Sequence, residues 1–275
     1  MGTSTSSTGP GSGVSLDPPW LNDVLGDIGA GSSVPVGDRE PVVPPPGATG
    51  TAPPARYGDA RREMGKYVKN GNTQHLGNAL GHYSRRGSGG ASAAASRMRA
   101  STRAGAELFS FLNAISQRST PEAAQWVDNL RATNPSADDV VDAIIRELAP
   151  PGGSADEESL RDAMGLALSD LVRDDPTVDP LSMSVDDIWD LMKGFLATEV
   201  ANRVCFDLGP IFESSQIDPL TSVLRERQMR LFIKNEIGMH VDLLRGTSAN
   251  PTRAQLDAVL QETLKMTFEL FEAQT

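Results

Sequence analysis

Residues 251–273, PTRAQLDAVLQETLKMTFELFEA, decide the fold class. Leu256, Val259, Leu260, Leu264, Phe268 and Phe271 recur at three- and four-residue steps. On a 3.6-residue period those positions form one apolar stripe, the mark of an amphipathic helix packed on a core. Working back along the chain, the same period returns. A helix is expected over about 218–245. Another opens at Ser184 with Asp187 and carries Trp189, Leu191, Phe195 and Val200. Ser154 with Glu157 is a capping-box pattern that starts a helix reaching about Arg173, because the serine oxygen and the third-residue carboxylate satisfy each other's backbone N–H groups. Ser136 with Asp139 begins a helix carrying Val140, Val141, Ile144, Ile145 and Leu148, which residues 150–153 (Pro-Pro-Gly-Gly) end. Thr120-Pro121-Glu122 supplies a hydroxyl cap with proline at the first helical position.

Further towards the N-terminus, a long Ala-rich helix is expected from about Ser92 to Arg118, preceded by a glycine hinge over residues 85–90. Two short helices, 58–70 and 73–85, are split by Asn70-Gly71-Asn72. Almost no stretch alternates with period two, and aromatic residues make up 5% of the chain. Strands draw on aromatic and β-branched residues, so none is expected. The expected fold is all-α, an irregular multi-helix bundle behind a long disordered N-terminal tail.

Residues 1–55 are that tail. Gly, Ser, Thr and Pro occupy 32 of the 55 positions, too few apolar groups to offset the entropy of ordering the segment. Pro41, Pro44, Pro45, Pro46, Pro53 and Pro54 favour extended spacing before the body. One island interrupts it: Pro18, Pro19, Trp20, Leu21, Val24, Leu25 and Ile28, with Asp17 as a cap. Trp20, Leu21, Val24, Leu25 and Ile28 share one helical face, which suits docking either on the protein's own body or in a partner's groove. The chain divides into this tail, a basic helical segment over 56–118 and an acidic helical bundle over 119–275.

Charge is segregated along those segments. Net charge is −11 overall, built from −4 over residues 1–55, +8 over 56–103 and −15 over 104–275. A basic block on an acidic protein calls for a counterpart. Arg61, Arg62, Lys66, Lys69, Arg85, Arg86, Arg97 and Arg99 form a candidate basic surface, with Tyr67 and Tyr83 near it for stacking. It suits a protein surface, the chain's own acids included, or a nucleic acid held through its phosphates. The excess negative charge that follows favours protein.

Catalytic and metal chemistry find no pattern. His75 and His82 share a helix face two turns apart, too few ligands for a zinc site. The stretch around Gly87–Gly90 lacks the GK[ST] ending of a P-loop. Cys205 is the single cysteine, which excludes an internal disulfide and fits a reducing compartment. There is no run of 18 apolar residues and no secretory leader, so a cytoplasmic, non-enzymatic protein without cofactor or metal is expected.

The extreme N-terminus, Met1-Gly2-Thr3-Ser4, is notable because glycine at position two allows removal of the initiator methionine. Met1-Gly2-Thr3-Ser4, Gly9-Pro10 and Pro18-Pro19-Trp20, then Met64-Gly65-Lys66-Tyr67-Val68, Gly81-His82-Tyr83, Gly87-Ser88-Gly89-Gly90, Arg97-Met98-Arg99, Ala104-Gly105-Ala106, Pro151-Gly152-Gly153-Ser154 and Arg203-Val204-Cys205-Phe206-Asp207-Leu208-Gly209 together resemble the QatB family of the bacterial Qat anti-phage system. The resemblance covers nearly the whole chain. It implies partners: a QueC-like enzyme, an ATPase and a TatD-like nuclease. It also implies that the QueC-like enzyme joins a deazaguanine carboxylate to the Gly2 amine, with Thr3, Ser4, Trp20, Leu21, Val24 and Leu25 docking the tail on the partner.

Overall fold

The computed structural model describes residues 56–149, 154–212, 217–245 and 251–275. The tail, with Gly2, Thr3, Ser4, Trp20, Leu21, Val24 and Leu25, lies outside the described residues. Ten α-helices follow, and there is no strand among the described residues. They are α1 (Gly58–Asn70), α2 (Thr73–His82), α3 (Ala91–Arg97), α4 (Arg99–Gln117), α5 (Pro121–Arg131), α6 (Ala137–Leu148), α7 (Ala155–Asp174), α8 (Val185–Leu208), α9 (Pro219–Leu244) and α10 (Arg253–Ala273).

Local sequence places most of these boundaries. Ser136, Ser154 and Ser184 each accept from the backbone N–H three residues on, and Asp139, Glu157 and Asp187 return the bond. Thr252 and Gln255 do the same for α10. Thr120 caps α5 ahead of Pro121. The split between α1 and α2 is a left-handed Gly71 (φ 73°) followed by Asn72, whose side chain accepts from Gln74. Asparagine and glycine favour those conformations at helix junctions.

Helix α10 is the hub. It packs on α2, α3, α4 and α9, so the first basic helices and the acidic remainder share one core. Leu256, Leu260, Leu264, Phe268 and Phe271 are each no more than 2% exposed. Thr263 and Thr267 are buried with them, and the Thr267 hydroxyl donates to the Thr263 carbonyl at 2.8 Å. The long helices α7, α8 and α9 pack side by side, with α8 also against α4.

Two expected elements differ. The Ala-rich stretch is not one helix: it breaks at Met98 (φ −99°, ψ 19°) into α3 and α4. Gln261 of α10 donates to the Ala95 carbonyl at 3.1 Å, and a side chain inserted into a helix ladder is a recognised cause of a kink. The break turns Met98 into the core, 5% exposed. The second helix does not run to residue 85 either. It ends at His82 and widens into a π-helical turn, Tyr83–Ser88, closed by Gly89 (φ 88°) and Gly90 (φ 100°). The expected glycine hinge is therefore a wide turn with two left-handed glycines after it, a backbone that glycine adopts without strain.

Candidate functional site

Tyr57, just ahead of α1, opens the compact unit that runs to Thr275. Its hydroxyl donates to Asp207 Oδ2 at 3.0 Å, and the Tyr83 hydroxyl donates to the same oxygen at 2.9 Å. Tyr83 enters from the π-helical turn, Asp207 from the last turn of α8. Gly87 makes room, since a Cβ there would collide with the Tyr57 ring. Arg61 places its guanidinium 5.9 Å from the Tyr57 ring centroid and donates to the Asp207 carbonyl at 3.0 Å. That bond satisfies one of the carbonyls left open at a helix C-terminus. Burial holds the Tyr83 hydroxyl well above its ordinary range, and the Asp207 charge adds to this. Tyr83 is therefore a proton donor at any physiological pH, and the cluster is a clamp.

Arg203, one turn before Asp207, lies 3.8 Å from it and reaches 3.6 Å from Asp156. It thereby joins the clamp to a cleft of about 640 Å³ among the start of α4, the first turns of α7 and the second half of α8. Glu199 forms part of its wall and is 6% exposed. Ser101 donates to one carboxylate oxygen at 2.6 Å and Ser159 to the other at 3.0 Å. Burial raises the Glu199 pKa, and the two serine bonds oppose the rise. Phe206, 76% exposed, stands at the rim. Cys205, on the same turn, is half-buried with its sulfur 3.9 Å from Glu226.

The basic surface is largely turned to internal use. Arg62 pairs with Asp59 at 2.5 Å, and Arg86 pairs with the other oxygen of Asp59. The Arg86 hydrogen bond is the main cause that lowers the Asp59 pKa. Lys66 pairs with Glu63 at 2.7 Å, and His75 lies 2.8 Å from its second oxygen. Arg85 donates to the Glu272 carbonyl at 2.7 Å. Lys69 is exposed in the last turn of α1, Arg97 stands at the cleft and Arg99 is half-buried at the start of α4. The tyrosines expected to stack are not available: Tyr67 is 1% and Tyr83 4% exposed. Tyr67 donates to the Arg225 carbonyl at 2.9 Å. Burial is the reason: Tyr67 is covered beside α9, and the Tyr83 ring packs between Tyr57 and Phe268 of α10.

Sequence reasoning missed Asp207 and Glu199 as organising carboxylates. No local pattern marks either, because their partners lie 40 to 150 residues away. Among the described residues no three His, Cys, Asp or Glu side chains gather where they would hold a metal. Nor is any helix there long and apolar enough to cross a membrane.

The fold thus defines an all-α bundle protein whose buried polar clusters tie its own helices together. A family model described as "Qat anti-phage system associated protein QatB" matches residues 89–271. The match spans more than half of the chain, from the glycine turn through α10, and the chain belongs to the QatB family, a component of an anti-phage defence system. No curated protein and no solved structure matches it.

Proposed function

We propose that the chain is a non-enzymatic defence component that binds a QueC-like enzyme and offers it the Gly2 α-amine, freed by removal of Met1. Membership of the QatB family carries this reading. In the reaction, ATP activates the carboxylate of a deazaguanine. The amine nitrogen bonds to the carboxyl carbon, the activated oxygen leaves on the phosphate it took from ATP, and the amine loses a proton. An α-amine titrates at roughly 7.7–8.0, against about 10.4 for lysine, so an appreciable fraction is nucleophilic near neutrality. Glycine presents that amine with the least hindrance. Residues 5–55, rich in Gly, Ser, Thr and Pro, give it reach into a recessed site. Thr3, Ser4, Trp20, Leu21, Val24 and Leu25 are the proposed contacts with the enzyme. The ATPase and the TatD-like nuclease of the system are further proposed partners, and the cytoplasm is the proposed compartment.

The alternative, a nucleic-acid module built on residues 56–103, has less support. Asp59 and Glu63 take up three of its cations, and two of its tyrosines are buried. Intact-mass analysis of protein co-expressed with the QueC-like enzyme tests the main reading. The expected result is a mass increase that maps to the Gly2 peptide and disappears on Gly2→Pro. An unmodified N-terminal peptide under those conditions overturns it.

A further inference from the structure

Glu199 is a buried acid without a countercharge. It is 6% exposed, and its two oxygens accept from the Ser101 hydroxyl at 2.6 Å and the Ser159 hydroxyl at 3.0 Å. A serine hydroxyl has one proton to give, so two serines donating to one carboxyl group suit its ionised form. Buried charges are as a rule paired. Among the described residues Glu199 nevertheless has no ion-pair partner. Arg203, one turn on along α8, is held by Asp156 and Asp207 instead. Arg97, the other cation of the cleft, is solvent-exposed.

The acid stands in the wall of the cleft of about 640 Å³, a volume within the roughly 300–1,000 Å³ of small-molecule sites. Met98, Leu160 and Phe206 give that cleft apolar surface. Asn202 ties a second carboxylate to the first. Its carboxamide oxygen accepts from Arg230 at 3.0 Å, which turns its NH₂ group towards Ser159 and Asp162, each at 3.5 Å. The lining as a whole carries four carboxylates against two arginines, a balance that draws cations.

We propose that this cleft binds a primary ammonium group on a short apolar stem, with Glu199 as its counter-ion, Asp162 as the second carboxylate of the site, and Leu160 and Phe206 along the stem. An ammonium suits the acid better than a guanidinium. Each Glu199 oxygen already gives a lone pair to a serine, so the two-point edge that a planar guanidinium grips is partly used, whereas a compact ammonium needs one free position. A metal ion finds too few ligands, since no three His, Cys, Asp or Glu side chains gather among the described residues. Two sources carry this chemistry: a small free amine and a lysine side chain presented by another protein. The site lies wholly within the helical body and stands whatever happens at Gly2.

Calorimetric titration of the full chain with n-butylammonium chloride tests this. Saturable binding is expected at neutral pH, weakening about fourfold for each methylene removed through n-propyl- to ethylammonium. Glu199→Gln keeps the side-chain shape and is expected to weaken butylammonium by about tenfold or more, and Asp162→Asn by a smaller factor. Phe206→Ala, at an exposed ring, should weaken butylammonium more than ethylammonium. Arg97→Gln removes a cation from the cleft, so binding should hold or tighten. Far-UV circular dichroism and the melting midpoint of each variant report that the body is intact. Nα-acetyl-lysine N-methylamide separates the sources. If it binds as tightly as butylammonium, the cleft receives a lysine of a partner protein; if it fails where butylammonium binds, the site is for small free amines. Three results overturn the proposal: no saturable butylammonium binding to the wild type, 1-butanol bound as tightly as butylammonium, or an affinity that Glu199→Gln leaves unchanged.

Discussion

The Tyr57 ring lies on the Tyr83 ring with centroids 5.4 Å apart and planes 13° apart, and the two hydroxyls meet on one oxygen of Asp207. Three distant parts of the chain are closed by this contact: the lead-in to α1, the π-helical turn after α2 and the end of α8. It anchors the first residue of the helical body at the place where the N-terminal segment joins it.

Removing Asp207 leaves the buried Tyr83 hydroxyl without its acceptor. An orphaned buried donor costs about 1–3 kcal/mol, whereas loss of one hydrogen bond with the ring retained costs about 1 kcal/mol. Asp207→Ala is therefore expected to lower the urea midpoint more than Tyr57→Phe, which keeps the stacked ring. Both unfolding curves should retain the wild-type slope, since neither change alters the surface exposed on unfolding.

Close approach of α2 to α10 depends on Gly81. A Cβ there would strike the Phe271 backbone carbonyl and the Thr275 side chain. Backbone cannot swing aside as a flexible side chain does. Gly81→Ala is expected to destabilise by about 1–3 kcal/mol, the range for overpacking, despite alanine's better helix propensity. At Gly194 the nearest neighbour is 3.7 Å away, so Gly194→Ala serves as the control and is expected to be neutral or slightly stabilising in thermal melts.

Glu199 gives stability a pH signature. Burial raises its folded-state pKa above the ordinary value, near 4.3 in the unfolded chain. The folded state therefore holds this proton more tightly than the unfolded state. Stability from the group is fully present below the unfolded value and is lost as pH rises through the folded value. Glu199→Gln removes the penalty while keeping the shape and one acceptor for the serines. The variant should melt higher than wild type at neutral pH, and the gap should close on acidification towards the ordinary carboxylate range. A gap that is constant with pH would show that packing, not ionisation, separates the two proteins.

Much of the fold was legible because its signals are local. Ser136 with Asp139, Ser154 with Glu157 and Ser184 with Asp187 are three residues apart, and each opens a helix where the pattern places it. The stripe from Leu256 to Phe271 marks a buried face from its period alone. The break at Met98 was not legible, because Gln261 and the core pocket for Met98 come from elsewhere in the chain. The same holds for Asp207, whose tyrosine partners stand 124 and 150 residues away. Part of the candidate basic surface meets the chain's own acids, one of the readings the charge pattern allows: Arg62 pairs with Asp59 and Lys66 with Glu63. That pairing was open to a helical-spacing argument, since Asp59–Arg62 and Glu63–Lys66 are three apart. Helix α9 was legible as a helix but not in its orientation, because apolar side chains on two faces leave the period ambiguous.

Cys205 offers a direct readout of how tightly the α8–α9 seam closes. Burial pushes its thiol up to about 11, with the Glu226 carboxylate adding to the rise and Arg230 opposing it. The thiolate is the nucleophile, and at neutral pH a thiol with that pKa is about 0.01% ionised. Iodoacetamide should therefore label the native chain far more slowly than the urea-unfolded chain, where the thiol returns towards 8.5. Linkage runs in the same sense. Because the folded state keeps the thiol proton longer, the stability it contributes is complete below about 8.5 and falls as pH approaches 11. Glu226→Gln removes a negative charge beside the sulfur, so it should speed native labelling while Arg230→Gln slows it. Native labelling as fast as that of the unfolded chain would mean that α8 and α9 part readily at Cys205, and the ordering of the two variants would then disappear.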